Sequence, residues 1–299
     1  MKETRKQATQ EGQMDKNKII ALLNQDLEGE QAAIIQYLVH AYAMGEGEMA
    51  CEIEAIAREE MRHFDWLAET IVNLGGTPSI KRGDMRTGGK SVSAWMQNDV
   101  SQEKDAIVMY EEHIKTIANP NIKRLLRRIL SDEKSHQGDF EHFVNKARKE
   151  DMTDIRGSRR DKVTQALNWG IEHEYTVILQ YLIHSYMTSN EDVKKEMEDQ
   201  AINEMQHLGW LAEKLVDKKG TPRIEHTKVD KSTKTADMLQ ADIKIEKKVA
   251  AEYDRAAKAI KDSDLKELLV RIRDHELYHA DIFSDLLKKQ HGRRKKGSG

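Results

Sequence analysis

The stretch LNQDLEGEQAAIIQYLVHAY, residues 23–42, returns as LNWGIEHEYTVILQYLIHSY at residues 167–186, so that Leu23 falls on Leu167 at an offset of 144. Working outward, EEMRHFDWLAETIVNLGGTPSI (59–80) returns as NEMQHLGWLAEKLVDKKGTPRI (203–224) at the same offset, setting Glu60, His63 and Trp66 on Glu204, His207 and Trp210. Glu103 and Tyr110 fall on Glu246 and Tyr253, and Glu133 and His136 on Glu276 and His279, now at an offset of 143, the mark of one residue lost from a loop. A period this long is no solenoid repeat; each half is a whole domain and the chain records a duplication.

Each half reads as four long helices. In the first they are expected over about 16–43, 47–74, 91–118 and 120–148, with Gly75-Gly76-Thr77-Pro78 ending the second and Asn119-Pro120 separating the third from the fourth. A longer link at about 76–90 joins helices two and three, and the pattern of short, long and short connections suits an all-α bundle with one crossover. The expected organisation is an N-terminal tail (1–15), a first domain (16–149), a polar linker EDMTDIRGSRRD (150–161), a second domain (162–290) and a basic tail HGRRKKGSG (291–299).

Composition agrees. The chain has 299 residues, room for two small cores; three prolines and 5% aromatic residues leave little material for β-structure. Lys plus Arg total 49 against 52 acidic residues, a net charge of −3 that gives no basic footprint for nucleic acid. The single cysteine, Cys51, excludes an intramolecular disulfide framework or a cysteine-rich metal site, and points to a reducing cytoplasm. No run approaches the apolar length of a membrane span, and the first residues lack the apolar core of a secretory signal.

The chemistry lies on the apolar stripes. Helix one steps through Leu23, Leu27, Glu30, Ile34, Tyr37 and Ala41, and helix two through Ile56, Glu60, His63, Leu67 and Ile71. Helix three carries Val100, Glu103, Ile107, Tyr110, Ile114 and Ile117, and helix four Leu126, Ile129, Glu133, His136 and Phe140. Four carboxylates brought into one core repel one another and lose their hydration, so something positive must sit between them. Two divalent cations balance four Glu charges, and two neutral imidazoles complete the coordination. In Glu60/His63 and Glu133/His136 the three-residue spacing puts both side chains on one helix face, where the carboxylate can bridge and the imidazole bind terminally. The second set is Glu174, Glu204, His207, Glu246, Glu276 and His279. Mixed carboxylate and imidazole donors suit iron and manganese alike.

These motifs, LNQDLEGEQAAIIQYLVH, EEMRH and SDEKSH above all, resemble bacterioferritin, with rubrerythrin-type proteins a step further away. The resemblance covers both halves and implies two tandem ferritin-like four-helix bundles, each with a di-iron centre on the six residues named. It implies a ferroxidase-type oxidoreductase that binds Fe(II) and passes electrons to O2 or hydrogen peroxide, in iron handling or oxidative-stress protection. Tyr37 and Tyr181 match a tyrosine near the family's di-iron centre; a redox role and a core aromatic role both stand. Met61 and Met205 match a methionine that binds haem b between two subunits, which would make this chain a pseudo-dimer with one intramolecular haem; the other reading is that both fill a helix interface. Neither half carries a pattern for a short fifth helix, so a large storage shell is not implied. Without a rubredoxin-like Cys-x-x-Cys segment, a rubrerythrin-like peroxidase would need an external electron donor. A non-catalytic haem- or metal-binding electron-transfer module is the remaining reading.

Overall fold

The structure, a computed structural model, describes residues 2–150, 157 and 160–296, with side chains described for 16–150, 157 and 160–290. Among the described residues there are eight helices: α1 (Lys2–Met44), α2 (Glu48–Asn73), α3 (Val92–Thr116), α4 (Pro120–Lys149), α5 (Lys162–Met187), α6 (Glu191–Asp217), α7 (Thr235–Ala259) and α8 (Ser263–Lys296). They fall into two compact units, Met1–Ile155 and Arg156–Gly299. In the first, α1 packs mainly on α2 and α3 mainly on α4, while α1 on α3 and α2 on α4 close a four-helix bundle. Helices α5 to α8 repeat this arrangement in the second.

Helix α1 begins at Lys2 rather than near residue 16, and α8 runs to Lys296 rather than stopping near 290. Both stretches are rich in charged, helix-forming side chains, and neither holds a proline. Of the expected linker, residues 151–156, 158 and 159 lie outside the described residues.

Local chemistry sets the helix ends. Ser91 accepts a hydrogen bond from Ala94 N at the start of α3, Asn119 accepts from Asn121 N and Ile122 N with Pro120 in the first turn of α4, and Asp161 forms a capping box with Thr164 at α5. Helix α2 closes with Gly75 N bonded to Val72 O and Gly76 N to Ile71 O, which requires the left-handed φ of 73° at Gly75. The same closure recurs after α6, but there the left-handed residue is Lys219, at φ 61°.

The crossover is tied along the first helix of each bundle. In the first, Ser79 N donates to Asn24 Oδ1 (2.7 Å), Gly83 N to the Glu28 carbonyl (2.8 Å) and Arg86 N to Gln36 Oε1 (2.5 Å). In the second, Arg223 N donates to Asn168 Oδ1 and Asp230 N to Gln180 Oε1, both at 2.9 Å. Tyr37, Ile53, Trp95, Met96, Val100 and Phe140 form the apolar core at one end of the first bundle; Val177, Tyr181, Met197, Met238, Leu239 and Phe283 do so in the second. Among the described residues no helix is long and apolar enough to cross a membrane.

Candidate metal centre

Helix α2 buries Ile53, Ile56, Ala57, Leu67 and Ile71 along one face, and Glu60 and His63 lie within that same face. Glu133 and His136 lie likewise between Ile129 and Phe140 on α4, while α1 and α3 add Glu30 and Glu103. All twelve residues of the two sets are at most 3% exposed. Such burial without a counterion would cost several kcal/mol per carboxylate, roughly, so the clusters are built for a charge partner.

The twelve residues come together as four groups, two in each bundle. Glu30, Glu60, His63 and Glu133 form one and Glu60, Glu103, Glu133 and His136 the next, so Glu60 and Glu133 are common to both. The second bundle repeats this with Glu174 and His207 on one side, Glu246 and His279 on the other, and Glu204 and Glu276 shared. Glu60 reaches His63 Nδ1 with one oxygen and His136 Nδ1 with the other, each at 2.8 Å. Glu204 does the same to His207 at 2.7 Å and His279 at 2.8 Å. Glu133 Oε1 lies 3.0 Å from His63 Nδ1, and Glu276 Oε1 3.1 Å from His207 Nδ1. Every imidazole therefore turns Nδ1 inward.

Several oxygens in these clusters have no hydrogen-bond donor: Glu30 Oε2, Glu103 Oε2, Glu174 Oε2 and both oxygens of Glu246. Buried lone pairs left unsatisfied within two four-residue groups fit two divalent cations in each bundle. The proton balance of the metal-free cluster points the same way. Burial and the neighbouring Glu60 charge push Glu30 up to about 8, and burial with Glu60 and Glu30 push Glu133 up to about 8. Burial likewise holds Glu103, Glu174 and Glu246 well above the usual carboxylate range. Glu60 moves the other way: burial opposes its ionisation, but hydrogen bonds from His136 and His63 outweigh it. Burial also disfavours the charged form of His136, yet Glu60 raises it to about 9. Protons stand in for cations until cations arrive.

Other groups fasten this centre. Tyr110 donates to Glu30 and Tyr253 to Glu174, roles that spacing on the apolar stripe did not reveal. Tyr37 donates to Glu103 Oε1 at 2.5 Å, whereas the hydroxyl of Tyr181, in register with it and packed edge-on to Phe283, has no hydrogen-bond partner. Next to the first cluster Asp99 joins His40 Nδ1 (2.9 Å) and Gln36 Nε2 (2.7 Å), and Asp242 joins His184 and Gln180 in the same way. The repeat carried a signal for these, since His40 and His184 share register, as do Asp99 and Asp242. Met61 and Met205 are half-buried. Cys51 is exposed.

A family model described as the ferritin-like domain of ferritin matches this sequence twice, over residues 20–149 and 164–291. The chain belongs to the ferritin-like family. Each match to this ferritin-like domain covers one four-helix bundle and one set of six buried carboxylates and imidazoles. Among characterised relatives, bacterioferritin of Desulfovibrio desulfuricans is 32% identical over 134 residues, spanning 43% of this chain and 75% of that protein. Bacterioferritin of Streptomyces coelicolor is 33% identical over 129 residues, 40% of this chain and 74% of the relative. A crystal structure of the D. desulfuricans bacterioferritin, described as showing its diiron site in different catalytic states, aligns at 33% identity over 44% of this chain and 80% of that one, with a TM-score of 0.42.

Proposed function

We propose that each bundle is a di-iron centre that binds Fe(II) and oxidises it, with dioxygen or hydrogen peroxide as the electron acceptor, in iron handling or protection against oxidants. The observation that carries this reading is a buried carboxylate, Glu60 or Glu204, held between two imidazole Nδ1 atoms that both face it. That is the geometry of a bridging ligand. Glu60 and Glu133 would bridge, Glu30 with His63 would complete one ion and Glu103 with His136 the other; Glu204, Glu276, Glu174 with His207 and Glu246 with His279 would do so in the second bundle. The similarity to bacterioferritins supports iron over manganese, and elemental analysis of protein purified without added metal discriminates between the two.

When bound, two Fe(II) supply two electrons, enough with two protons to reduce hydrogen peroxide to two waters. The protein's own part is to hold and move charge. Glu30 and Glu133 release their protons as cations enter, Tyr110 fixes Glu30, and Tyr37 fixes Glu103 through its hydroxyl. The apolar residues around the cluster limit water to the reacting atoms. Stopped-flow absorbance after adding Fe(II) in air tests the reading: rapid oxidation saturating near about two irons per bundle is expected, and wild-type rates in the double variant Glu60→Ala, Glu204→Ala would refute it. A Tyr37→Phe variant that oxidises Fe(II) at the wild-type rate would remove that tyrosine from the chemistry.

The same proposal extends to haem b, which Met61 and Met205, half-buried and each directly following a shared cluster Glu, would hold through their thioethers. A Soret band in protein supplied with haem, lost when both become Leu, is the expected result; a band that persists sinks this extension.

A further inference from the structure

Each imidazole that turns Nδ1 into a cluster turns Nε2 outward, and the two bundles receive those outward nitrogens differently. In the first bundle His136 Nε2 faces Glu59 Oε2 at 2.9 Å and His63 Nε2 faces Asp132 Oδ2 at 3.4 Å. Arg128 Nε, 3.0 Å from the same Asp132 oxygen, holds that carboxylate in place. In register with Glu59 the second bundle has Asn203, whose amide donates to Gln200 Oε1 at 2.8 Å. In register with Asp132 it has His275, whose Nδ1 lies 2.9 Å from His207 Nε2. Arg271, the counterpart of Arg128, lies over the Trp210 ring, 4.4 Å from its centroid. The twelve inner residues are alike in the two copies, whereas the outer carboxylates Glu59 and Asp132 of the first stand against Asn203 and His275 in the second.

A carboxylate that accepts the outer N–H of a metal-binding imidazole pushes electron density to the inner nitrogen and fixes the ring, and removing such a partner typically costs about 10- to 100-fold in metal affinity. His275, the neighbour of His207 Nε2, offers no such charge, and Asn203, uncharged, spends its amide on Gln200. A second difference has the same sign: Tyr37 donates to Glu103 and so orients it, whereas Tyr181 makes no hydrogen bond and both oxygens of Glu246 lack a donor. The ligand is pre-oriented in the first centre and not in the second, and ordering it on binding costs affinity.

Resting on the di-metal reading above, we infer that the two centres are unequal: the first, backed by Glu59 and Asp132, retains divalent cations, and the second, where uncharged Asn203 and His275 stand at those positions, is the weaker and more readily emptied one. At limiting metal the first bundle fills first, and the second releases ions first when supply falls. Glu59, Asp132, Asn203 and His275 are positioning residues in this account, acting through the imidazoles.

Cobalt(II) titration followed by visible absorbance tests the inference on the full chain. Glu60→Ala with His63→Ala leaves the second centre to be read alone, and Glu204→Ala with His207→Ala leaves the first. The first should bind about 10- to 100-fold more tightly. Glu59→Asn with Asp132→His should then weaken the first centre, and Asn203→Glu with His275→Asp should tighten the second, while helicity by circular dichroism stays unchanged. If an exchange variant loses helicity, Glu59→Gln, which keeps size and removes charge, is expected to weaken the first centre in the same direction. Equal affinities for the two centres, or exchanges that leave both affinities where they were, overturn the inference and leave the di-metal reading standing. Failure of cobalt to bind either centre overturns both.

Discussion

Loading the first cluster with a redox-inert divalent cation should expel a countable number of protons. At pH 7 the metal-free cluster carries protons on Glu30 and Glu133, both pushed up to about 8 by burial and the neighbouring carboxylates. His136, raised to about 9, and His63, which the facing carboxylates Glu133, Glu30 and Glu60 raise against the effect of burial, are imidazolium. Two bound cations require all four carboxylates ionised and both imidazoles neutral, so Glu30, Glu133, His136 and His63 together release about four protons per pair of ions at pH 7. By pH 9.5 Glu30, Glu133 and most of His136 have already lost theirs, and the release falls by about three. The assay is zinc addition to metal-free protein in weak buffer with an indicator dye, using Glu204→Ala with His207→Ala to silence the second bundle. A release of two or fewer at pH 7, or one that does not change with pH, would refute the reasoning.

Three further outcomes are expected. Because the folded values of Glu30 and Glu133 lie above the unfolded 4.5 and that of His136 above 6.5, the stability they contribute is full below the unfolded values and is lost as pH rises through about 8 and about 9; metal-free protein should therefore show a falling Tm from pH 7 to 9, and metal-loaded protein should not. Lys219→Gly should stabilise the second bundle by roughly 1 kcal/mol in denaturant titration, because it relieves a left-handed side-chain residue at the place where Gly75 serves in the first; a loss of stability would contradict this. Asp99→Ala should cost the first bundle about 3 kcal/mol by stranding buried His40 and Gln36, read as a lower urea midpoint, and a change under about 0.5 kcal/mol would show that the network carries no stability.

The repeat made the fold readable. Once residues 23–42 and 167–186 are aligned, the apolar stripes of all four helices in each half follow from spacing alone, and a Glu on every stripe is visible because it stands where a core residue belongs. What spacing cannot carry is the direction of a hydroxyl or the partner of a buried polar group far along the chain. Tyr37 and Tyr181 are the same residue in register, yet only one donates to a carboxylate. Tyr110 reads as an ordinary stripe residue until its hydroxyl meets Glu30 on another helix. Asp99 and His40 are 59 residues apart, a distance over which helical periodicity says nothing. Glu59 and Asp132 flank Glu60 and Glu133 in sequence and look like wet-face acids; only the outward nitrogens of His136 and His63 give them a role. The helix ends near Lys2 and Lys296 were missed because charged helix formers without apolar periodicity read as tails.

On the proposed function each bundle holds two metal ions between its six buried carboxylates and imidazoles. Native mass spectrometry of the full chain after iron or cobalt loading, paired with elemental analysis, tests it directly. Four ions per chain are predicted, one for each of the four groups, falling to two when Glu60→Ala and His63→Ala disable the first bundle. Wild-type protein that retains no ions, or a variant that retains all four, would contradict it.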